Sequence, residues 1–154
     1  MNVHPRLIQF EQLLLTIWVG SMLAIGYLAV PVLFHQLDDR QLAGGLAGQM
    51  FQLVYSLGLV CGVMLLVTAA TISRQQFFRQ WRHIVLIAML LLVAIGLFVM
   101  QPQMAAIKLQ TGWQEQAELV SRFGRLHGLA SVMYMLTSVL GVVLVVKGLR
   151  KKQD

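Results

Sequence analysis

The chain has 154 residues, of which 58% are hydrophobic and 12% are charged. Because about a quarter of the residues in a soluble domain are charged, this composition is typical of a membrane protein and argues against a soluble enzyme or binding module. The net charge of +6 does not predict a nucleic-acid partner, since the basic residues lie between and after hydrophobic segments instead of forming a patch interleaved with aromatic rings.

Four apolar segments approach or reach the roughly 20 residues that a helix needs to cross the hydrocarbon core of a bilayer. They lack the alternation of barrel strands, and a lipid-exposed backbone must satisfy its hydrogen bonds internally, so each is predicted to be a helix. The predicted spans are residues 12–34, 50–72, 84–100 and 126–146. The sequence therefore predicts an all-α integral membrane protein, a single domain over residues 1–154 in which four transmembrane helices form an antiparallel bundle within the lipid bilayer.

The first apolar segment is interpreted as a transmembrane helix and not as a signal peptide. It is longer than the apolar region of a signal peptide, Glu11 lies near its start, and no convincing small-residue cleavage site precedes Pro31.

Two prolines predict breaks in the helices. Pro31 removes a backbone donor and frees a carbonyl around Tyr27, so helix one is expected to kink near its outer end. Pro102 is expected to begin or kink a short helix that carries Lys108.

Helices two and four are predicted to extend beyond the bilayer on the outer side. Asp38 and Asp39 are N-cap candidates for a helix over about residues 40–72, where acidic side chains also favour the helix dipole. Charged residues at helical spacing favour a fourth helix that starts near Gln114. Together these extensions are expected to form a small polar cap.

The basic residues predict the orientation of the chain. With four spans, both termini lie on one side together with the loop between helices two and three. That side holds eight basic residues: Arg6, Arg74, Arg79, Arg82, Lys147, Arg150, Lys151 and Lys152. The opposite side holds four: Arg40, Lys108, Arg122 and Arg125. The positive-inside bias therefore predicts cytoplasmic termini and, in a bacterium, an inner-membrane protein whose first and third loops face the periplasm.

Glycines at helical spacing are candidates for close helix packing. Helices in a membrane approach one another through small residues, and the spacing G-x-x-x-G is typical of such contacts. The glycines concerned are Gly44, Gly48, Gly58, Gly62, Gly124 and Gly128. We interpret them as packing within the bundle, while homodimerisation through an exposed glycine face fits the same spacing.

A polar line runs along helix four. Its members follow at steps of four and three residues and share one face: His127, Ser131, Tyr134, Ser138 and Gly141. Polar groups that face lipid are costly, so this face is expected to point into the bundle or toward a partner.

A candidate ligand or clasp site lies at the outer leaflet. His35 and His127 are expected near the same depth, and four charged residues lie close to that depth: Asp38, Asp39, Lys108 and Arg125. In the clasp interpretation, Gly124 and Gly128 let a neighbouring helix approach and bury His127, while Arg125 pairs with a carboxylate. In the ligand interpretation, His127 is a group that titrates near physiological pH.

The stretches "IWVGSMLAIGYLAVPVLFHQL", "MAAIKLQ" and "FGRLHGLASVMYML" resemble a bacterial four-helix membrane family called domain of unknown function 4149. That family is similar to eukaryotic transmembrane protein 205, which is associated with cisplatin resistance. The likeness extends from about Leu13 to Val146, and it implies an integral membrane protein without supplying a reaction.

A more remote resemblance concerns helix one alone. The stretch "LLLTIWVGSML" looks like the first helix of copper-resistance D-type membrane proteins and of the four-helix protoporphyrinogen oxidase family. In those proteins a histidine precedes the tryptophan by about two turns, whereas this chain has Glu11 there. Since a carboxylate is not a usual axial ligand, this departure weakens the implication of haem.

The sequence favours a non-catalytic accessory or assembly partner of a larger membrane complex. Short loops, glycine faces and the lack of a nucleophile or an acid–base constellation in the sequence all fit this role. The partner would be another membrane protein, and no cofactor is predicted.

The alternative is transport or binding of a metal ion or small cation. It is motivated by the two outer-leaflet histidines, the nearby Asp38 and Asp39, and Met100 and Met104 at positions i and i+4. Imidazole and thioether ligands suit copper, and a carboxylate extends the choice toward zinc. Methionine in an apolar helix is more often a packing residue.

A third class, an enzyme with haem or quinone chemistry, has the least support. Ligation by two histidines would need His35 with His127 on the outer side, or His4 with His83 on the inner side. Each of these histidines lies at a helix end, so haem and copper remain the less favoured cofactors.

Overall fold

The computed structural model describes residues 5–72 and 80–149. The α-helices of this part of the chain are α1 (Pro5–Ala24), α2 (Val30–Gln36), α3 (Arg40–Ile72), α4 (Trp81–Ile95), α5 (Gln101–Lys108) and α6 (Ala117–Lys147). A first π-helical turn, Ile25–Ala29, joins α1 to α2, and a second, Gly96–Met100, joins α4 to α5. A short 3-10 turn, Trp113–Glu115, precedes α6.

These elements make four helical segments that are long and apolar enough to cross a membrane. Their bounds are Pro5–Gln36, Arg40–Thr71, Trp81–Lys108 and Ala117–Lys147. The predicted architecture of four membrane-spanning helices is therefore confirmed, and the chain is a multi-pass membrane protein. Each segment is longer than the span predicted for it, because the helices continue past the ends of their apolar runs.

The four segments form a ring in which each helix packs against two neighbours. α1 and α4 each lie against both α3 and α6, so that α1 and α4 occupy opposite corners. Consecutive segments run in opposite directions, as expected for an antiparallel bundle. We call the end that holds the start of α1 and the end of α6 the terminal end, and the opposite end the loop end.

The core is filled by large apolar side chains from all four segments. Apolar residues recur at steps of three and four along each helix and so line one face. The side chains with no more than trace exposure include Leu15, Trp18, Met22, Leu65, Leu86, Met89, Val93 and Leu144. The outward faces are also apolar, as the lipid around them requires.

The tightest contact in the core is the one between α1 and α3. A methyl group added at Gly58 would collide with the indole nitrogen of Trp18, and one added at Gly62 would overlap Leu90 and the far edge of the same indole. The two glycines therefore let the fully buried Trp18 lie directly on the backbone of α3.

The other predicted packing glycines have more space around them. A Cβ atom at Gly44 would be in ordinary contact with Lys108 and Phe34. Within the described residues, no neighbouring atom lies within 4 Å of a Cβ built at Gly48, Gly124 or Gly128.

Three glycines outside the predicted set do hold close contacts. Gly141 of α6 packs against Val19 and Met89, while Gly26 and Gly96 of the two π-turns each lie against a tyrosine ring. Close packing thus follows the position of a large neighbour and not the G-x-x-x-G spacing itself.

Local signals set the helix boundaries near the loop end. The Oδ1 atom of Asp39 accepts hydrogen bonds from the backbone N–H groups of Gln41 (2.8 Å) and Leu42 (3.0 Å), which is the geometry of an N-cap, and α3 begins at the next residue. α6 begins three residues later than predicted, because Gly112 adopts a left-handed conformation (φ 68°) and a 3-10 turn separates it from the helix.

The prolines occupy the places expected of them. Pro31 and Pro102 each lie in the first turn of a short helix, α2 and α5, where a missing backbone N–H costs least. The break before each proline is a π-helical turn, a form that inserts an extra residue into the helix and bends it. As predicted, Pro102 lies at the start of a short helix that carries Lys108.

We expect Gly58→Ala to destabilise the bundle, since the added methyl must displace the rigid indole of Trp18. Overpacking of this kind costs about 1–3 kcal/mol, which corresponds to a fall of about 2–10 °C in the melting temperature. Thermal unfolding of the detergent-solubilised protein measures this, with Gly20→Ala as control because no neighbouring atom of the described chain lies within 4 Å of that site. Equal melting temperatures for the two variants would contradict the packing role of Gly58.

Candidate functional site

The long helices α3 and α6 carry polar structure beyond the bilayer. With 33 and 31 residues, they are about 50 Å and 46 Å long at 1.5 Å per residue. The hydrocarbon core is only about 30 Å thick. At the loop end, residues 30–50 and 101–131 form a small assembly that we call the loop-end cap.

The loop-end cap has an apolar cluster of its own. Met100, Met104 and Ala130 are buried together, and Phe123 and Leu126 of α6 pack against them. Met100 and Met104 were candidate metal ligands, but both thioethers lie within this cluster. Their placement is that of packing residues.

Three side chains of the loop-end cap, Lys108, Trp113 and His127, contact the aromatic ring of Phe123. The Lys108 Nζ atom lies 5.4 Å from the centroid of its ring, Trp113 lies 5.1 Å away centroid to centroid, and the His127 ring stacks on it at 5.9 Å with an interplanar angle of 9°. An ammonium group this close to an aromatic ring is held by a cation–π interaction.

Lys108 joins three helices of the cap. Its half-buried Nζ donates a hydrogen bond to the backbone carbonyl of Gly44 at 2.9 Å while it contacts Phe123. The side chain therefore links α5 to α3 and to α6.

The structure brings only part of the predicted site together. Lys108 and His127 both contact the ring of Phe123. His35 is exposed in the last turn of α2, Asp38 is exposed on the connection between α2 and α3, and Asp39 acts as the cap of α3. Among residues 5–72 and 80–149, no group of three or more histidine, cysteine, aspartate or glutamate side chains is placed to hold a metal ion.

The predicted clasp is not formed within the described chain. His127 and Arg125 are exposed, and the space beside Gly124 and Gly128 is open. The polar line of helix four is buried along only part of its length. His127 and Ser131 are exposed, whereas Tyr134, Ser138 and Gly141 are buried in the bundle. At the level of His127, α6 packs against Met100 and Met104 through Phe123, Leu126 and Ala130, and His127 and Ser131 lie outside this contact.

Sequence reasoning did not identify Phe123 or Trp113 as members of the site. A signal for Phe123 was present, because it lies four residues before His127 and therefore on the same side of α6. Trp113 follows the left-handed Gly112, and no periodic pattern marks it. Its indole nitrogen is buried and has no hydrogen-bond partner in the described part of the chain.

A second group of polar residues lies at the terminal end. Glu11 of α1 and His83 of α4 are 3% and 2% exposed. At 1.5 Å per residue, Glu11 lies about 22 Å from Gly26 of the first π-turn, and His83 lies about 20 Å from Gly96 of the second. Both lie toward the terminal end, and so at nearly the same level. Ionisable residues buried in a membrane protein are candidates for function.

Sequence reasoning missed the burial of His83, although a signal existed. The residue shares a face with the buried Leu86, Leu90 and Val93, at steps of three and four. The proposed partner His4 lies outside the described residues, as do five basic residues counted for the orientation: Arg74, Arg79, Arg150, Lys151 and Lys152.

The fold defines the class of protein: it is a small multi-pass membrane protein whose four membrane-spanning segments form an antiparallel ring, with the loop-end cap at one end. Residues 13–112 match the family described as domain of unknown function (DUF4149), so the chain belongs to that family. The matched region covers the bundle as far as α5 and the following turn, and it ends before Phe123 and His127. Comparison with curated proteins and with solved structures gave no match.

We expect Lys108→Met to loosen the loop-end cap. Methionine keeps the apolar stem of the side chain but removes the hydrogen bond to Gly44 and the cation–π contact with Phe123, a loss of about 1–3 kcal/mol. Thermal unfolding in detergent should show a fall of about 2–10 °C in the melting temperature. Arg125→Met removes an exposed cation of the same cap and is expected to leave the melting temperature unchanged. A Lys108→Met protein as stable as Arg125→Met would exclude the linking role.

Proposed function

We propose that the protein is a non-catalytic accessory or assembly partner of a larger membrane complex, and that a helix of its partner packs on α6 at the loop end. The observation that carries this proposal is the open space beside Gly124 and Gly128. One turn separates the two glycines, so together they form a shallow strip on the helix surface. Such a strip lets a second backbone approach closely.

The position of this strip supports docking near the membrane surface. Gly128 is six residues, or about 9 Å, outward from Tyr134, whose ring is buried within the bundle. Exposed His127, Arg125 and Ser131 lie on the same stretch of α6. Hydrogen-bonding side chains next to small residues add to the attraction between membrane helices.

The proposal includes a location in a bacterial inner membrane, with both termini in the cytoplasm. The bias of eight basic residues against four supports this orientation. The loop-end cap and the α6 strip would then meet a partner at the periplasmic surface of the membrane.

The alternative role in binding a metal ion or small cation gains no support from the described geometry. It needs the imidazoles, carboxylates and thioethers to converge, but Met100 and Met104 are packed in an apolar cluster and Asp39 caps α3. The accessory role therefore has the better support.

The test is a comparison of two leucine variants purified from native membranes in mild detergent. Gly128→Leu and Gly20→Leu both introduce a large side chain where no neighbouring atom of the described chain lies within 4 Å, so both fit the fold. Leucine also favours a helix over glycine by about 1 kcal/mol. We expect wild type and Gly20→Leu to carry a second polypeptide in fixed ratio in native mass spectrometry, and Gly128→Leu to lose it by at least about tenfold, since 1.4 kcal/mol of lost contact suffices.

Several results would overturn the proposal. They are a wild-type protein without a second polypeptide, a partner retained equally by both variants, and a second copy of this chain in place of a different protein. Absorption spectra and elemental analysis of the same samples provide a further check. A haem band, or near-stoichiometric copper or zinc that is lost in His127→Ala, would replace the accessory role by ligand binding.

A further inference from the structure

The two halves of the chain have the same order of elements. In each half a long helix ends in a π-turn, a short helix with proline as its second residue follows, and a second long helix returns through the membrane. The first half runs from α1 to α3 and the second from α4 to α6. The two prolines, Pro31 and Pro102, are 71 residues apart.

The same shift of 71 residues relates the inward faces of α1 and α4. Four buried residues of α1 each have a buried residue of α4 at this shift. The pairs are Leu15 with Leu86, Trp18 with Met89, Val19 with Leu90, and Met22 with Val93. The two helices therefore present equivalent faces to the core, at the same distance from their prolines.

The returning helices α3 and α6 also repeat each other, at a shift of 79 residues. The stretches "YSLGLVCGVMLLV" (residues 55–67) and "YMLTSVLGVVLVV" (residues 134–146) are identical at seven of thirteen positions. The identical residues that are buried in the bundle are Tyr55 with Tyr134, Gly62 with Gly141, and Leu65 with Leu144. The shift is larger here because the second half has more residues between its proline and this stretch, in a part that contains the 3-10 turn Trp113–Glu115.

The contacts of the two matched glycines correspond to each other under these shifts. A methyl group added at either glycine would meet two large side chains. They are Leu90 and Trp18 for Gly62, and Val19 and Met89 for Gly141. Replacing every residue of the first set by its equivalent gives the second set. Such reciprocity is the property of an interface between two like units related by a twofold axis.

The matched tyrosines show where this axis lies. The Tyr55 ring lies on Gly96 of the second π-turn, and the Tyr134 ring lies on Gly26 of the first. These glycines are one position away from the register of the prolines. The two rings contact each other edge to face, with centroids 5.9 Å apart. Equivalent residues meet directly only near a twofold axis, so the axis passes between the rings, and it runs along the bundle because α1 and α4 point the same way.

We propose that the bundle is a fused pair of like helical hairpins, and that the inner face of each half is an interaction surface that fits a second hairpin of the same kind. Repeats related by an axis along the membrane normal are one of the ways in which membrane proteins are built. This inference concerns contacts within the chain and does not depend on the proposed accessory function.

The equivalence extends to a place where the residues differ. Trp18 lies on Gly58, and the equivalents of these two residues are Met89 and Thr137. Met89 and Thr137 are 0% and 1% exposed. One half thus combines a large side chain with none, whereas the other combines two of intermediate size. The Thr137 hydroxyl donates to the carbonyl of Met133 at 2.8 Å, so its polar group is satisfied within its own helix. The proposal therefore makes the two pairs interchangeable.

Exchange of the pairs in the full-length protein tests this, with thermal unfolding in detergent as the measurement. Met89→Trp overpacks the second half and is expected to lower the melting temperature by about 5–10 °C. Thr137→Gly alone is also destabilising, because it leaves a cavity and weakens the helix. In the Met89→Trp protein, however, Thr137→Gly makes the room that the ring needs, and we expect it to raise the melting temperature.

Ser138→Gly is the matched control. Ser138 is the buried neighbour of Thr137 on α6, but it lines a groove with Leu23 and Tyr27 of α1. Its removal is therefore expected to lower the melting temperature both in wild type and in the Met89→Trp protein.

The reverse exchange serves if Met89→Trp cannot be purified. Gly58→Thr should destabilise wild type, since its Cβ atom collides with the indole of Trp18, and should stabilise the Trp18→Met protein. Three results would overturn the proposal: a further fall when Thr137→Gly is added to Met89→Trp, an equal rescue by Ser138→Gly, or destabilisation by Gly58→Thr in both backgrounds.

Discussion

The bundle depends on the contact between a large ring and a glycine backbone, seen most clearly where Trp18 lies on Gly58 and Gly62. Lipid tails are as apolar as the helices, so burial of apolar surface gives the helices little reason to associate, and close packing must supply the attraction. This packing leaves the buried indole nitrogen of Trp18 without an acceptor in the described part of the chain. An unsatisfied buried donor costs about 1–3 kcal/mol, so dispersion around the indole outweighs that loss.

Packing of this kind ends where the lipid ends, and the loop-end cap uses other interactions. There the Asp39 carboxylate caps α3, and Lys108 joins a carbonyl of α3 to an aromatic ring of α6. The Lys108 contact lies beside the apolar cluster of Met104, since Phe123 packs against both, whereas the Asp39 cap is exposed. The cap is therefore an extension of the bundle whose cohesion is partly electrostatic.

The sequence predicted the parts of the structure that local rules decide. Segment length and hydropathy gave the four helices, and the N-cap at Asp39 gave the start of α3. Contacts between helices could not be predicted equally well, because G-x-x-x-G spacing is the same at Gly58 with Gly62, where a tryptophan lies opposite, and at Gly124 with Gly128, where the space is open. Helical periodicity likewise gave the face of α6 that carries His127 but not the point at which the neighbouring helices cease to cover it.

The two halves of the bundle, α1 to α3 and α4 to α6, differ most in the burial of their short helices, α2 and α5. The second half buries Met104 and Ile107 of its short helix and ties it with Lys108, whereas no residue of α2 is buried. The open strip on α6 lies at the same end of the molecule. Segments that open or bind are drawn from the least stable parts of a fold, because a fully packed segment has no alternative arrangement within reach. The exposed strip at Gly124 and Gly128, which we propose as a docking site, therefore lies at the less closely packed end of the molecule, while glycine contacts with large side chains hold the centre of the bundle together.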